Sequence, residues 1–371
     1  MELYIDREEL TQGLNHIQGI LERRSTNRIL SNVLLEANED TLRITATNTD
    51  VTYVGDLAAN VVVPGEITVD GSRLFQIGKS LPENTVQMKL VGQGRMEILS
   101  GAAWFKVVGM PAEDFPPVPN FEKTATLTLS AGDLSWLIGR TSFAISGEDN
   151  RYGINGAHLE NVVEGDETKI RMVATDGHRL SYAEVPYEGD FGMADKMLLP
   201  RKALIELRKI CDGQEGNVTL SFGENGALVQ MPGTRFFFRL IDGEFPDYRQ
   251  VVPTGFQRRA MISKPALSDA LKRVGLLASD KTRPVKFDFT DNMLVLSTLN
   301  LDVGESREEV QMELEGDNLE LGFNHRYFQD VLSVVNEERV ILELGDALDP
   351  ALIRGPDEEK GLFVVMPMRL D

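Results

Sequence analysis

Cysteine is nearly absent from this chain, which has one such residue, Cys211, among 371. A single cysteine excludes an intramolecular disulfide and is typical of a protein kept in a reducing compartment. Cys211 ends the segment LIELRKIC, whose apolar residues recur at helical spacing. A buried structural thiol is therefore expected here in preference to a catalytic nucleophile.

Long hydrophobic runs and targeting signals are also missing. No apolar run approaches the roughly 18 residues that a membrane-spanning helix needs. The first ten residues, MELYIDREEL, are acidic and amphipathic and lack the basic and apolar regions of a secretory signal. With 42% hydrophobic and 26% charged residues, the chain is expected to be a soluble globular protein of the cytoplasm.

Positive charge is in deficit. Lysine and arginine total 38 residues against 58 aspartates and glutamates, which gives a formal net charge of −20. Proteins that hold duplex DNA by simple attraction use a basic face to displace counterions from the phosphates. The balance therefore argues against a conventional DNA-binding domain, and any role on DNA needs a retention mechanism other than net attraction.

Motifs for nucleotides and metals are missing as well. Gly78, Lys79 and Ser80 look like part of a phosphate-binding loop, but Arg73 stands where that loop needs a glycine. The tripeptide also follows a predicted helix, so its backbone N–H groups cannot cradle a phosphate. The four histidines have no metal-ligand spacing with one another or with the cysteine. We expect no cofactor and no metal.

One segment, VATDGHRLSY at residues 173–182, places Asp176, His178 and Ser181 within six residues and suggests a proton-transfer triad. Ser181 has no G-x-S-x-G setting that would activate it as a nucleophile. The segment also aligns with TATNTD at 45–50 and LSTLNL at 296–301, where no histidine occurs. We therefore favour a structural histidine, or a surface used by a partner, over a catalytic site.

Internal repetition is the strongest positive signal. Three segments, starting at Leu3, Leu127 and Ala260, each combine a short strand, a polar capping residue and an amphipathic helix. A short acceptor side chain at a helix start satisfies free N–H groups of the first turn. The capping residues are Asp6, Ser130 and Ser263, each followed four positions later by a leucine, and the first helix has an apolar stripe of Leu10, Leu14, Ile17 and Leu21.

A second helix recurs in each copy, in the segments TVDGSRLFQIGKSL, LLPRKALIELRKIC and GFNHRYFQDVLSVV, opened by Asp70, Pro200 and Asn324. Strand-like runs such as TLRITATN, KIRMVATD and MLVLSTLN lie between the helices. The capping residues at 6, 130 and 263 are spaced by 124 and 133 positions. This period predicts three domains of about one third of the chain each, because solenoid repeats are far shorter.

Together these segments resemble the bacterial DNA sliding clamp family, the beta subunit of the replicative DNA polymerase III. The resemblance covers essentially the whole chain, including NRILSNVLL, TDGHRL, LLPRKALIEL, FPDYR and VVMPMRL. It implies an α+β fold of three repeated clamp domains, residues 1–122 (N-terminal), 123–254 (central) and 255–371 (C-terminal). It also implies a head-to-tail dimeric ring, with helices lining the inside and antiparallel sheets outside. The implied function is that of a processivity factor without a catalytic site of its own.

The resemblance further implies a pocket that binds peptide motifs of partner proteins, with VATDGHRLSY as one wall. Methionines suit such a pocket because they adapt to different apolar side chains. The implied pocket residues are Ile154, Thr175, Gly177, His178, Arg179, Leu180, Pro246, Val251, Val364, Val365, Met366, Pro367, Met368, Arg369 and Leu370. Two departures from the family are Gln250, where a second arginine is frequent, and the additional terminal Asp371.

Further expectations concern DNA, the second subunit and other proteins. The implied DNA contacts are Arg24, Arg151, Tyr152, Arg201 and Lys202, and the implied dimer seam joins Phe105 and Val107 to Leu276 and Leu277. From the residues alone, an internal core position is nearly as plausible for these four. The expected partners are double-stranded DNA, encircled without regard to sequence, the replicative polymerase subunit, the clamp loader, and other polymerases and repair proteins. An enzyme built on the Asp176–His178 cluster and a protein-only scaffold are the alternatives.

Overall fold

The computed structural model describes residues 1–22, 27–92, 94–120, 122–147, 153–189, 197–224, 226–279, 283–357 and 360–369. The chain forms two compact units. One contains Met1–Ser135 and Lys202–Leu240, and the other contains Trp136–Arg201 and Ile241–Asp371. The middle third of the chain is thus divided between the units, each of which is built on its own sheet.

Within the described residues the helices alternate with groups of strands, as the repeat predicts. None of these helices is both long and apolar enough to cross a membrane. They are α1 (Arg7–His16), α2 (Gly71–Ser80), α3 (Ala131–Thr141), α4 (Arg201–Cys211), α5 (Lys264–Val274) and α6 (His325–Val334).

The strands of the first half of the chain are β1 (Glu2–Asp6), β2 (Asn32–Asn38), β3 (Thr41–Thr47), β4 (Val51–Val63), β5 (Gly65–Asp70), β6 (Thr85–Val91), β7 (Arg95–Ser100), β8 (Ala103–Met110), β9 (Ala125–Ser130), β10 (Gly156–Glu164), β11 (Glu167–Thr175) and β12 (Arg179–Pro186). Those of the second half are β13 (Met197–Pro200), β14 (Asn217–Phe222), β15 (Gly226–Met231), β16 (Thr234–Arg239), β17 (Arg258–Ser263), β18 (Pro284–Thr290), β19 (Met293–Asn300), β20 (Gly304–Glu315), β21 (Leu319–Asn324), β22 (Arg339–Leu344), β23 (Ala351–Arg354) and β24 (Gly361–Val365).

The capping predictions hold for two of the three first helices. Asp6 accepts hydrogen bonds from the N–H groups of residues 8 and 9, and Ser130 accepts one from the N–H of Asp133 at 2.9 Å. Ser130 also donates to the Asp133 carboxylate at 2.7 Å. Ser263 stands before α5 but makes no capping hydrogen bond, so that prediction is wrong in detail. The following Pro265 has no N–H, which removes one of the donors that Ser263 could have accepted.

The second helices start with similar chemistry. Asp70 accepts from the N–H of Arg73 at 2.7 Å, and Asn324 accepts from the N–H of Arg326 at 3.0 Å. Pro200 is the last residue of β13 and lies one position before α4, instead of inside its first turn. The segment containing Gly78 to Ser80 is the end of α2, as predicted.

In the described part of the first unit, twelve antiparallel strands form one sheet in the order β1-β6-β7-β8-β5-β2-β3-β4-β16-β15-β14-β9. The connection between the first and second copies of the repeat is the pairing of β4 with β16, in which Val51 faces Phe238 and Thr52 faces Phe237. Strands of two copies therefore share one continuous sheet.

In the second unit, the remaining strands form a second sheet in the order β13-β10-β11-β12-β24-β23-β22-β17-β20-β19-β18-β21. Here the second and third copies meet where β12 pairs with β24, with Leu180 facing Val364. Half of the middle copy's strands thus continue the first copy's sheet and half continue the third's. This explains why a chain of three copies forms two compact units.

The apolar stripe predicted for α1 is buried. Leu10, Leu14 and Ile17 have no exposed surface, and Leu21 is 7% exposed. The helix itself ends at His16, however, so Ile17 and Leu21 reach the core from the turn that follows it. The periodicity identified the buried residues correctly and overestimated the length of the helix.

Cys211 is buried at the end of α4, with 1% of its surface exposed. Burial raises the pKa of its thiol to about 12, and the charge of Asp212 adds to the effect. At pH 8 we expect iodoacetamide to alkylate the folded protein about a thousandfold more slowly than the denatured chain, since only the thiolate reacts and its fraction falls by about that factor. Mass spectrometry of timed samples measures both rates. Rapid labelling of the native protein would contradict a structural thiol.

Candidate functional site

A rigid turn connects β11 to β12. The Thr175 hydroxyl donates to the carbonyl of Arg179 at 2.7 Å and accepts from the N–H of Gly177 at 3.1 Å. The Asp176 carboxylate accepts from the N–H groups of His178 and Arg179 at 3.0 and 3.1 Å. Gly177 has φ 85°, a left-handed conformation that glycine adopts without strain. The aspartate of the suspected triad is thus a turn-forming residue.

Arg179 joins this turn to the neighbouring helices. Its guanidinium donates to the carboxylates of Asp176 and Asp330 and, at 2.7 Å, to the carbonyl of Phe143. The same group lies 5.1 Å from the ring centre of Phe143 and 4.6 Å from that of Tyr327. Because the charge of Arg179 is already paired with two carboxylates, its main role is to hold the turn against the neighbouring helices.

His178 is exposed, and its ring stacks on Tyr327 with ring centres 6.2 Å apart and planes inclined by 13°. Burial raises the pKa of the Tyr327 hydroxyl, and the charge of Asp176 adds to the effect. Ser181 has no exposed surface, and its hydroxyl donates to the carbonyl of Arg140 at 2.6 Å. The aspartate, histidine and serine therefore do not form a proton-transfer triad.

An apolar cluster lies beside the turn, where β12 meets β24. Its buried members are Val173, Leu180, Tyr248 and Val364, with Phe245, Tyr182, Val252 and Leu362 packed against them. Two apolar side chains close to it in sequence remain exposed, Val251 by 45% and Met366 by 36%. An apolar floor with exposed apolar neighbours is the usual composition of a ligand site.

The end of the chain completes one side of this region. The N–H of Met366 donates to the carbonyl of His178 at 2.9 Å, and the N–H of Met368 donates to the carbonyl of Gly322 at 2.7 Å. The tail therefore leaves β24 after Val365 and crosses to β21. Pro367 is half-buried and Arg369 is exposed, while Leu370 lies outside the described residues.

The structure brings most of the predicted pocket residues together. The turn residues, Leu180, Val364, Val365 and the tail are linked by the contacts above, and the exposed Pro246 directly follows the cluster residue Phe245. Ile154 is half-buried and is not a member of the apolar cluster. Sequence reasoning missed six residues of this cluster and of the side chains packed against it: Val173, Tyr182, Phe245, Tyr248, Val252 and Leu362. The segments VATDGHRLSY and FPDYR contain the first four of them.

The residues predicted to contact DNA fall into two groups. Arg201 and Lys202 are exposed at the start of α4, and neither has a carboxylate partner among the residues that the structure describes. Lys209, farther along the helix, is paired with the buried Glu206 at 2.9 Å. Arg24, Arg151 and Tyr152 lie outside the described residues.

The four residues predicted at a dimer seam all lie outside the buried core. Phe105 and Val107 are half-buried on β8, and Leu277 is half-buried after α5. Leu276 is 79% exposed. Their exposure favours a surface contact over the alternative that they form part of the internal core.

Three family models match consecutive parts of the chain. They describe the DNA polymerase III beta subunit: its N-terminal domain matches residues 1–119, its central domain residues 128–247, and its C-terminal domain residues 249–369. Nearly the whole chain is therefore matched, and the prediction of three clamp domains is confirmed. The exact domain boundaries stay a prediction.

Curated relatives and solved structures agree with these matches. The chain is 34% identical to the beta sliding clamp of Caulobacter vibrioides and 32% identical to that of Escherichia coli, covering 100% of each relative and of itself. A sliding clamp (DNA polymerase III subunit beta) from Bartonella birtlesii, bound to griselimycin, superposes with a TM-score of 0.94 at 32% identity over 100% of both chains. The corresponding Pseudomonas aeruginosa structure, also with griselimycin, gives 0.91 at 35% identity over 100% of both chains.

Proposed function

The chain belongs to the DNA polymerase III beta subunit family, the bacterial sliding clamps, and from that membership we propose that two copies close head to tail around duplex DNA. As a sliding clamp it is a processivity factor in DNA replication, an accessory subunit of the polymerase and not a catalytic enzyme. The observation that carries this function is the likeness over the full length of the chain and of its relatives.

A closed ring accounts for the acidic composition. Because topology retains a ring on DNA, sliding requires only weak phosphate contacts, and a net charge of −20 per chain is no obstacle. An acidic exterior also disfavours docking of the ring's surface against nucleic acid. Two chains of three domains supply the six domains of the proposed ring.

The seam is supported by two strand edges that are open within the described residues. Residues 103–108 of β8 pair only with β7, and residues 304–311 of β20 pair only with β19. Open edges can pair with one another across a subunit interface. Exposed charged residues accompany both edges: Lys106, paired with Glu97, on the first, and Glu305, with the paired Arg307 and Glu309, on the second. A head-to-tail contact between these edges joins Phe105 and Val107 to Leu276 and Leu277.

The seam predicts the assembly state. The wild-type protein should have a mass of 82.4 kDa in solution, twice the chain mass of 41.2 kDa. Leu276→Asp should give a folded monomer, because the side chain is 79% exposed in the single chain but acquires an unpaired buried charge in the dimer. Light scattering at micromolar concentration measures both masses.

A matched control is Val163→Asp, which also places a carboxylate on an exposed apolar side chain, 66% exposed on β10. This variant should remain a dimer. A wild-type monomer at micromolar concentration, or a Leu276→Asp dimer as stable as the wild type, contradicts the proposed seam.

We assign partner binding to the apolar cluster with the turn and the tail around it. An apolar peptide side chain would lie on Leu180 and Val364, between Val251 and Met366. Flexible methionine at the rim suits a pocket that serves several partners. The partners proposed for it are the replicative polymerase subunit, the clamp loader, and other polymerases and repair proteins, and the proposed compartment is the cytoplasm.

We further propose contacts between exposed basic residues and DNA. Arg201 and Lys202 are exposed and lack carboxylate partners in the described part of the chain, so their charges are available to phosphates. Arg24, Arg151 and Tyr152 remain predictions from the resemblance. All five would act on the sugar-phosphate backbone, which carries no sequence information.

A further inference from the structure

One wall of the proposed pocket is a segment that belongs to no strand. Residues 245–251, here called the strap, contain a short helical turn at Tyr248–Gln250. Pro246 and Val251 of the strap are exposed, whereas Tyr248 is buried. Since the strap has no ladder of backbone hydrogen bonds in the described structure, its position depends on side-chain contacts.

Three strap side chains make those contacts with the sheet of the second unit. Phe245 stacks on His158 with ring centres 5.3 Å apart. Arg249 donates to Glu160 at 2.9 Å. The Tyr248 hydroxyl donates to Glu160 and accepts from Arg171 at 3.0 Å. The ring of Tyr248 meanwhile packs in the apolar cluster with Leu180 and Val364.

The charged side chains around the Tyr248 hydroxyl are buried. Arg171 is 8% exposed, Glu160 9% and Glu184 6%. Arg171 also donates to Glu184 at 2.7 Å, so its charge is balanced. Burial alone would raise the pKa of Glu160, but His158, the hydrogen bond from Tyr248 and the charge of Arg249 together lower it to about 2. Burial and the hydrogen bond to Glu160 raise the pKa of Tyr248 to about 12. Glu160 and Tyr248 therefore keep one protonation state throughout the neutral range.

The first copy of the repeat contains the same strand pair without the tyrosine. Arg43 faces Asp56 across β3 and β4, as Arg171 faces Glu184 across β11 and β12. Arg43 also donates to Asp56 at 2.7 Å, but these side chains are 43% and 32% exposed.

A Phe-Pro pair occurs near the end of the first copy at Phe115 and near the end of the second at Phe245. Tyr248 stands three residues after Phe245, and the corresponding residue after Phe115 is Val118, which is 40% exposed. The arginine–carboxylate pair is thus common to both copies, whereas the tyrosine that covers it belongs to the copy that carries the proposed pocket.

From this arrangement we propose that Tyr248, Glu160 and Arg171 are positioning residues for peptide recognition. They hold the strap against the sheet, so that Pro246 and Val251 stand beside the apolar floor before a peptide arrives. If the strap is already in place, less conformational entropy is lost when the peptide binds. Tyr248 links the two regions directly, because its ring lies in the floor and its hydroxyl in the charged network. The inference rests on the proposed peptide pocket.

Tyr248→Phe tests the inference because it removes the hydroxyl and keeps the ring. We expect the affinity for a synthetic peptide, carrying the clamp-binding segment of the same organism's replicative polymerase subunit, to fall about tenfold. Affinity falls because the strap loses its hydrogen bonds to Glu160 and Arg171, and these two buried charged groups lose a hydrogen-bond partner. Asp56→Ala is the matched control: it removes the acceptor of Arg43 in the first copy, where no tyrosine covers the pair, and should leave the affinity unchanged. Fluorescence anisotropy of the labelled peptide measures both.

A second variant separates positioning from stability. Glu160→Gln keeps an acceptor for the Tyr248 hydroxyl and should retain more affinity than Glu160→Leu. The double variant Tyr248→Phe, Glu160→Gln should lose less than the product of the two single losses, since both act on one bond. All measurements are made well below the melting temperature, with the dimer mass checked by light scattering.

The possible failures are distinguishable. If Tyr248→Phe and Glu160→Leu lower the melting temperature and bind the peptide as the wild type does, the network stabilises the fold only and the inference is wrong. In that case a chain shortened after Val365 would still lose the peptide, and the pocket would stand. If the shortened chain binds normally, the pocket itself is misplaced and the inference is lost with it.

Discussion

Removal of residues 366–371 is expected to reduce the affinity for the polymerase peptide by about a hundredfold or more while leaving the protein dimeric. The deletion starts after the last residue of β24, so the strand that carries Val364 and Val365 is kept. It removes Met366 from the edge of the apolar floor, together with the tail that bonds to His178 and Gly322. Losing one side of a small apolar pocket has effects of this size because a few central contacts carry most of the binding energy.

Titration calorimetry measures the affinity directly. Met366→Ala should cause an intermediate loss of about tenfold, since it removes one rim side chain and keeps the backbone bond to His178. Val163→Ala, which shortens an even more exposed apolar side chain on β10, should have no effect. Unchanged affinity after the deletion contradicts the assignment of the pocket, whatever the state of the dimer.

Local features of the fold could be predicted from the sequence because they depend on neighbouring residues. The stripe of Leu10, Leu14 and Ile17 is buried as its spacing indicates, and Asp6 and Asp70 cap their helices. Helix caps and apolar stripes depend only on residues within one or two helical turns of each other. The turn in VATDGHRLSY could likewise be predicted from the sequence, because an Asp-Gly pair after a strand is typical of a turn.

The pairing between copies and the strap network could not be predicted in this way. Neither the bonding of β4 to β16 nor that of β12 to β24 leaves a local signal, since each joins residues more than 170 positions apart. Charged residues such as Glu160 and Arg171 are normally solvent-exposed. They are buried here because Tyr248 covers them, and Tyr248 lies 88 positions from Glu160 in the sequence. The family resemblance predicted the pocket region, but the residues that position its wall required the structure.

The ring predicts a difference between closed and cut DNA. The isolated protein should bind short linear duplex weakly, and this binding should vanish as salt screens contacts such as those of Arg201 and Lys202. Once loaded on a closed circular duplex by the clamp loader of the same organism, the protein should withstand about 0.5 M salt, a concentration at which exposed charge contacts are largely screened. Escape then requires opening the seam, not merely breaking phosphate contacts.

A single cut in the loaded circle should release the protein, because the ring can slide off an end. Gel filtration of loaded DNA before and after linearisation measures this, with the expected result a nearly complete shift of the protein from the DNA fraction to the free fraction. Lys202→Glu should lower the amount loaded without changing retention of rings that are already closed, whereas Leu276→Asp should load no ring. Equal retention on cut and uncut DNA would mean that ordinary affinity holds the protein. With a net charge of −20 per chain, such affinity would need a local basic surface far larger than the exposed residues of α4 provide.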